Sequence, residues 1–320
     1  MRKRKTLAFV ISFFLAIPLL FSGCSDGSSN SGAGPALESG PTIEVAINQI
    51  ETDCSNPGVT EVTAYVSIIN QDGDPVTGLT TSNFSCYENT VEIPPDTVTI
   101  NFVDQITAPL SVVMVMDYSW SMQWADAIDP LEAAVLEFVN LLSQDDEAEI
   151  IKFAGIIEIV QEFTSDKALL TSAITDPWDG GTGTPIYDVL FEAIDDAALA
   201  PDRKAVIIVT DGREHDSING IDDVIAHSLA NQVPVFTIGL GNGIDVNMLT
   251  QIADETGGHF YEAATSDDLI TIYQQISEIL LLDQYVIKYE SFLQGNVTLG
   301  VQVENNGLQD NASKEFTACP

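Results

Sequence analysis

The chain has 320 residues, of which 45% are hydrophobic, which is enough for one sizeable domain and a smaller one with buried cores. Its formal net charge is −37, with 48 Asp and Glu against 11 Lys and Arg. Because such a field repels phosphate backbones, the composition excludes nucleic-acid binding. The acidity suits the solubility of an exported protein, and it also attracts divalent cations.

Residues 1–23 have the pattern of a secretory signal peptide. Basic residues at 2–5 precede an apolar run at 7–21, which is too short for a comfortable membrane span. Small residues then stand directly before Cys24, and this arrangement resembles the cleavage site of bacterial lipoproteins. The resemblance implies a lipidated, palmitate-bearing Cys24 at the mature N-terminus. The protein would then be anchored to a membrane without spanning it.

The residue after this cysteine indicates whether a lipoprotein is kept in the inner membrane or moved to the outer one. In Gram-negative lipoproteins an aspartate there is the usual signal for inner-membrane retention, and this chain has Ser25. We therefore expect an extracytoplasmic, lipid-anchored envelope protein, on the outer membrane if the organism has one. Residues 24–41 are rich in Gly, Ser and Pro, which predicts a flexible tether.

Residues 42–108 have a β pattern without helical periodicity. Alternating or β-rich runs bounded by turn residues predict a small antiparallel unit. The predicted strands are Thr42–Ile47, Thr60–Ile69, Phe84–Tyr87 and Thr97–Phe102.

Residues 109–282 alternate strands with helices. The strands at 111–116, 205–210 and 234–240 are continuous apolar runs, typical of strands buried on both faces. This alternation predicts an α/β fold, with a doubly wound, mostly parallel sheet flanked by helices. Further strands are predicted at 149–153 and 259–262, and helices at 130–142, 167–174, 186–198, 221–230, 246–255 and 269–281.

Residues 283–320 return to a β pattern, with strands at 285–289, 297–303 and 314–317. Since connections are short and paired elements tend to be neighbours, both β segments are expected to form one sandwich. The α/β domain would then be an insertion between its strands.

Cys54, Cys86 and Cys319 remain after the signal peptide, and an oxidising compartment favours a disulfide. Cys86 alternates with Phe84 in a predicted strand, which directs its side chain into the core. We favour the pair Cys54–Cys319, which would tie the two ends of the fold together, and Cys54–Cys86 is the alternative.

A metal site is predicted where two buried strands end. In VVMVMDYSWS, Asp117, Ser119 and Ser121 recur at every second position after one strand, so that their oxygens can converge. Asp211 follows a second buried strand in AVIIVTDG, and a Gly-rich loop with hydroxyl side chains, DGGTGTPIYDVL, precedes a helix. Hard oxygen ligands of this kind suit Mg²⁺ or Mn²⁺, with Ca²⁺ possible.

These three pieces, in this order, resemble the von Willebrand factor A domain family with an intact metal-ion-dependent adhesion site. The likeness covers roughly residues 109–282. It implies a ligand set of Asp117, Ser119 and Ser121 in the first loop and Asp211 in the last. In the family the ligand threonine stands a fixed step before an apolar pair of the next helix. Val189–Leu190 takes that place here, which selects Thr184 over Thr182.

The resemblance also implies a function. Such a site leaves the ion an open position that an Asp or Glu carboxylate of a protein partner can fill. We expect a ligand-binding envelope protein without enzymatic activity, which serves in adhesion or protein–protein interaction. A structural or assembly subunit of an envelope complex is the alternative.

Other chemistry is less well supported by the sequence. His215, His227 and His259 have no metal-ligand spacing, which argues against zinc. No motif supplies a base to activate a serine nucleophile, so a hydrolase is disfavoured.

The sequence allows two interpretations for several neighbours of the predicted site. Asp179 and Asp188 either support the metal site from behind or are, respectively, a capping residue and part of a solvated helix face. Trp120 and Trp124 either contact a partner or pack against the first helix.

Overall fold

The computed structural model describes residues 41–102, 108–201 and 203–320. The predicted signal peptide, the lipidation cysteine Cys24 and nearly all of the predicted tether lie outside these residues. Within them, no helix is both long and apolar enough to cross a membrane.

Within residues 41–102, five strands precede the α/β region. They are β1 (Ile43–Asp53), β2 (Thr60–Asn70), β3 (Phe84–Glu88), β4 (Val91–Glu92) and β5 (Thr99–Phe102). Three more follow the α/β region, and they are β12 (Tyr285–Ser291), β13 (Gly295–Asn305) and β14 (Leu308–Ala318).

The described residues of the α/β region form six strands and seven α-helices. Its strands are β6 (Leu110–Asp117), β7 (Glu147–Phe153), β8 (Ile157–Thr164), β9 (Arg203–Thr210), β10 (Val235–Leu240) and β11 (Phe260–Ala263). Its helices are α1 (Trp120–Trp124), α2 (Ile128–Leu141), α3 (Lys167–Thr175), α4 (Ile186–Ala198), α5 (Ile221–Asn231), α6 (Val246–Thr256) and α7 (Leu269–Ser277), which continues as a π-helical turn at Glu278–Leu282.

The six strands of the α/β region form one sheet in the order β11-β10-β9-β6-β7-β8. All neighbours are parallel except β7 and β8, which are antiparallel. Separate apolar cores lie on the two faces of this sheet. The structure therefore confirms the predicted α/β fold with a mostly parallel sheet covered by helices.

Two elements of the α/β region, and the two-residue strand β4, were not expected from the sequence. Strand β8 is an edge strand whose residues are only half-buried or exposed, so it has no continuous apolar run to mark it. Helix α1 is a five-residue turn directly after β6. It places Trp120 and Trp124 beside the predicted metal loop.

The remaining strands form two antiparallel sheets, in the orders β1-β2-β12-β5 and β14-β13-β3-β4. Each sheet combines strands from before and after the α/β region. One apolar core, which includes Val66, Tyr285 and Val301, joins the two sheets. The chain thus leaves this sandwich after β5 and returns to it at β12.

A disulfide joins Cys54, just after β1, to Cys319, just after β14. The two residues are 265 positions apart, so the bond ties together both ends of the described chain. The alternative pairing with Cys86 is wrong, because Cys86 is a free thiol buried in the sandwich core. Burial raises the pKa of that thiol to about 12, which keeps it protonated and unreactive.

Candidate metal centre

Strands β6 and β9 are neighbours in the sheet, and both end at the same edge. Met116 lies opposite Val209, so the residues that follow each strand meet at the carboxyl edge. This is where open parallel sheets bind ligands. Asp117 is fully buried there.

Hydrogen bonds fix the Asp117 carboxylate from two sides. Its Oδ1 accepts a bond of 2.8 Å from the backbone N–H of Ser119, and its Oδ2 accepts one of 2.6 Å from the hydroxyl of Thr210. Thr210 is the last residue of β9 and is itself fully buried. Sequence reasoning missed this residue, although a polar side chain at the end of an apolar strand was a visible signal.

A chain of oxygens connects the first loop to the last. The hydroxyls of Ser119 and Ser121 lie 3.0 Å apart, and Ser121 donates a hydrogen bond of 2.7 Å to Oδ1 of Asp211. The structure therefore brings together four of the five predicted ligands, Asp117 included. Their two carboxylates and two hydroxyls form one compact set of hard oxygen donors.

Thr184 lies next to this set, at the start of α4. It forms a two-way backbone bridge with His215, and a Cβ placed on Gly212 would stand 3.6 Å from its hydroxyl oxygen. Gly212 directly follows Asp211, so the Thr184 side chain faces the same loop. Thr182, the alternative ligand, is exposed, and its carbonyl packs against Gly155.

The electrostatics of the site suit a cation. Burial raises the pKa of Asp117 to about 6, against the hydrogen bonds from Thr210 and Ser119, and the charge of Asp211 raises it further. Burial also raises the pKa of Asp211. Two anions in this position are destabilised by desolvation and mutual repulsion, and a divalent cation would offset both effects.

The donor set also limits which metals fit. The described part of the chain contains no group of three or more His, Cys, Asp or Glu residues that could hold a metal ion. A cation at this edge would therefore depend on hydroxyl oxygens as well as on two carboxylates. Such a set fits a hard divalent ion and offers nothing to a soft one.

The two tryptophans of α1 are accessible at the rim of the site. Trp120 is 47% exposed and Trp124 is 80% exposed, with ring centroids 5.8 Å apart. The sequence left open whether these tryptophans contact a partner or pack against the first helix, and their exposure favours contact with a partner. An exposed aromatic pair beside the oxygen cluster is the kind of surface that anchors protein partners.

The two nearby aspartates support local structure and contact none of the predicted ligands through hydrogen bonds. Asp188 accepts hydrogen bonds from the backbone N–H groups of Ile218 and Asn219. Asp179 accepts one, at 3.4 Å, from Gly181. Asp179 therefore fits the capping interpretation, whereas Asp188 holds the loop at Ile218 and Asn219 and does not lie on a solvated helix face.

The histidines have separate partners. His259 is buried between Ser67 and Glu44, each 2.7 Å away, and His227 contacts Asp195. His215 pairs with the adjacent Asp216 at the surface. The hydroxyls of Ser119 and Ser121 bond to each other, and Ser121 also bonds to Asp211, so neither hydroxyl has a histidine as its hydrogen-bond partner.

Fold and site together define a class of protein: a doubly wound α/β module with a cluster of polar oxygens at the carboxyl edge of its sheet. The model of the von Willebrand factor type A domain matches residues 111–275, which is more than half of the chain. The chain belongs to this family. Domains of the family are usually non-enzymatic protein-interaction modules.

Relatives among known proteins share this domain. Human matrilin-1 is 32% identical over 164 residues, which cover 47% of this chain and 32% of matrilin-1. A UPF0353 protein of Nocardia farcinica is 25% identical over 208 residues, covering 52% of this chain and 62% of that protein. The chain therefore spans about a third of the length of the matrilin relative and less than two thirds of the bacterial one.

Among solved structures, proximal thread matrix protein 1 of the mussel byssus is similar, with a TM-score of 0.50 and 18% identity. The match covers 59% of this chain and 50% of the mussel chain. A second structure of that mussel protein, with 16% identity and the same TM-score, has a zinc-occupied MIDAS motif and covers 62% of this chain and 51% of that one. At these identities the likeness shows the fold.

Proposed function

We propose that this protein binds a protein ligand through a divalent cation held by Asp117, Ser119, Ser121, Thr184 and Asp211. The observation that carries the proposal is a series of hydrogen bonds at one sheet edge. Ser119 bonds to Asp117 through its backbone N–H and to Ser121 through its hydroxyl, and Ser121 bonds to Asp211. Mg²⁺ is the expected ion, with Mn²⁺ or Ca²⁺ as alternatives.

Each residue has a distinct part in this proposal. Asp117 and Asp211 supply the negative charge, and Ser119, Ser121 and Thr184 supply neutral oxygens. When bound, the ion would supply positive charge and an open position for an Asp or Glu carboxylate of the partner. The exposed pair Trp120 and Trp124 would then contact apolar surface around that carboxylate.

The proposed setting is the cell envelope. Cleavage after a signal peptide at residues 1–23 would leave Cys24 lipidated, and residues 24–41 would hold the folded part away from the membrane. In the proposed division, residues 42–108 and 283–320 form the β-sandwich and residues 109–282 form the inserted metal-binding domain. The role would be adhesion or protein–protein interaction, and the alternative is an assembly subunit of an envelope complex.

Metal binding is tested by titrating Mg²⁺ and Mn²⁺ into the protein by calorimetry. We expect saturable heats from the wild type and none from Asp117→Ala or Asp211→Ala. Asp222→Ala is the matched control, because it removes an exposed carboxylate on α5. Equal heats from all four proteins would refute the site.

Ligand binding is tested by pull-down from the envelope fraction of the source cells, with and without EDTA. Partners that are lost with EDTA and with Asp117→Ala support metal-dependent recognition. Partners that survive both treatments favour the assembly role. Cys24→Ser tests the anchor, since the unlipidated protein should leave the membrane fraction.

A further inference from the structure

An arginine lies beside the proposed metal centre and has no part in holding the ion. Arg213 follows Asp211 by two positions in the loop after β9, and it is exposed. Its Nε donates a hydrogen bond of 3.3 Å to the carbonyl of Gly243, in the loop after β10. A Cβ placed on Gly243 would stand 2.9 Å from the carbonyl oxygen of Asp211. The arginine therefore belongs to the pair of loops that border Asp211 at the carboxyl edge of the sheet.

Arg213 is the only Lys or Arg in the described loops at this edge. The loops that follow β6, β7, β10 and β11, and the Gly-rich loop before α4, contain acidic and neutral residues but no other Lys or Arg. The whole chain has a formal net charge of −37. In such an acidic protein, an exposed arginine is expected to pair with one of the many carboxylates of its own chain.

Arg213 has no such partner. The ion pairs among the described residues all involve histidines. The carboxylates of the two loops bond elsewhere. Asp211 accepts a hydrogen bond from the loop after β6, and Glu214 accepts hydrogen bonds from backbone N–H groups of α4 and of its own loop. Asp216 pairs with the adjacent histidine, and Asp245 caps α6. The terminal nitrogens of Arg213 are therefore available to a carboxylate from another molecule.

The charge of the metal centre explains why a second cation matters there. A divalent ion held by Asp117 and Asp211 would be neutralised by their two carboxylates. A partner's carboxylate would then approach a site without net charge, on a protein whose overall field repels it. Arg213 adds one positive charge at this edge, and a guanidinium can bind a carboxylate through two parallel hydrogen bonds. The edge is therefore suited to receive two acidic groups, one at the ion and one at the arginine.

We propose that Arg213 binds a second carboxylate of the protein partner, close to the one that the metal ion receives. The contact segment of the partner would then be acidic, with at least two Asp or Glu side chains near each other. This inference rests on the proposed metal-dependent function and adds the chemical class of the segment that the site selects.

Two fluorescent pentapeptides test the inference by anisotropy, at saturating Mg²⁺ and about 0.15 M ionic strength. One is Asp-Gly-Asp-Gly-Asp and the other is Asn-Gly-Asp-Gly-Asn, so that both offer a central carboxylate to the ion. Acidic residues on both sides of the centre allow the first peptide to bind in either chain direction. We expect the wild type to bind the triacidic peptide at least about tenfold more tightly, well above the roughly threefold advantage of three equivalent carboxylates.

The ratio of the two affinities within each variant identifies the residue that recognises the second carboxylate. Arg213→Gln should reduce this ratio to about three, and Arg213→Lys, which keeps the charge but not the fork of donors, should give an intermediate ratio. Lys288→Gln is the matched control, because it removes one positive charge from an exposed position of β12 in the sandwich. It should keep the wild-type ratio. Thermal melting checks that each variant is folded.

The possible outcomes separate this inference from the proposed function. A wild type that binds no Mg²⁺ in calorimetry refutes the metal-dependent function and this inference with it. A wild type that binds Mg²⁺ but neither peptide, or that lacks the preference for the triacidic peptide, refutes the role of Arg213 alone. An unchanged ratio in Arg213→Gln has the same consequence. EDTA should abolish the binding of both peptides, and a preference that survives EDTA would overturn the inference by placing the acidic segment away from the ion.

Discussion

The hydroxyl of Ser121 donates a hydrogen bond of 2.7 Å to the carboxylate of Asp211, which lies 90 positions further along the chain. The bond joins the loop after β6 to the loop after β9. Since β6 and β9 are parallel neighbours, their carboxyl ends place these two loops side by side. The contact shows how two separate motifs become one site.

Thr210 should support metal binding without being a ligand. Its hydroxyl orients Asp117 through a bond of 2.6 Å, and groups that orient ligands typically contribute about 10–100-fold to metal affinity. We expect Thr210→Val, which keeps the shape, to weaken Mg²⁺ binding by that factor in calorimetry. Thr237→Val is the control, because it removes a buried hydroxyl from the neighbouring strand β10. Equal losses in both variants would contradict the positioning role.

Gly155 should be required for the position of the Thr184 loop. A Cβ at Gly155 would overlap the carbonyl of Thr182 and approach the carbonyl of Gly180 to 3.2 Å. We expect Gly155→Ala to displace this loop, to weaken Mg²⁺ binding in calorimetry and to lower the free energy of unfolding by about 1–3 kcal/mol. Gly300→Ala should leave metal binding unchanged, because a Cβ there meets its nearest atom at 3.6 Å. An unchanged affinity in Gly155→Ala would show that the loop tolerates the shift.

The disulfide should be a main determinant of stability. Cys54→Ser should lower the free energy of unfolding by about 2–5 kcal/mol, and Cys319→Ser should do the same. Thermal melts with and without a thiol reductant check this. Wild type and Cys86→Ala should both lose stability on reduction, whereas Cys54→Ser should not respond. A melt of the wild type that is insensitive to full reduction would contradict the prediction.

Lys314 should make stability depend on pH. Its ammonium is buried against the carbonyls of Asn48 and Thr256, and burial lowers its pKa from 10.5 to about 7. Between about pH 7 and 10 the unfolded chain holds this proton and the folded chain releases it. Stability should therefore rise with pH across this window, by at most about 1.4 kcal/mol per pH unit.

Lys314→Met tests this pH dependence. The variant should be less stable overall, because two buried carbonyls lose their donor. Its melting temperature should nevertheless rise less between pH 7 and 9 than that of the wild type. Lys288→Met, which removes an exposed lysine of β12, should keep the wild-type slope. Parallel curves for wild type and Lys314→Met would show that Lys314 does not release its proton in this window.

Much of the fold could be predicted because its central strands are buried and therefore have apolar sequences. The runs before Asp117 and Asp211 are continuously apolar, and both strands are buried in the sheet. Strand β8 lies at the edge of the sheet, where one neighbour suffices and half-buried residues are tolerated. Its sequence therefore carries no burial signal, and it was missed.

The residues of the candidate site were likewise predictable from the sequence only in part. The spacing of Asp117, Ser119 and Ser121 is local and visible in the sequence. Thr184 could be predicted as a ligand only from the family pattern, because nothing in the local sequence of a Gly-rich loop indicates which residues its threonine contacts. The polar Thr210 at the end of an apolar strand was a signal in the sequence, but its partner Asp117, like the contact of Gly155 with Thr182, was decided by the packing.

The sequence by itself determined the order of most strands and helices, the candidate oxygen ligands that follow two buried strands, and the acidity of the whole chain. Only the tertiary structure decided that Ser121 contacts Asp211 and that Cys54 pairs with Cys319 and not Cys86. The physical reason is the range of the interactions. Burial and turn propensity act between neighbours in the chain, whereas these contacts depend on how distant strands align in a sheet.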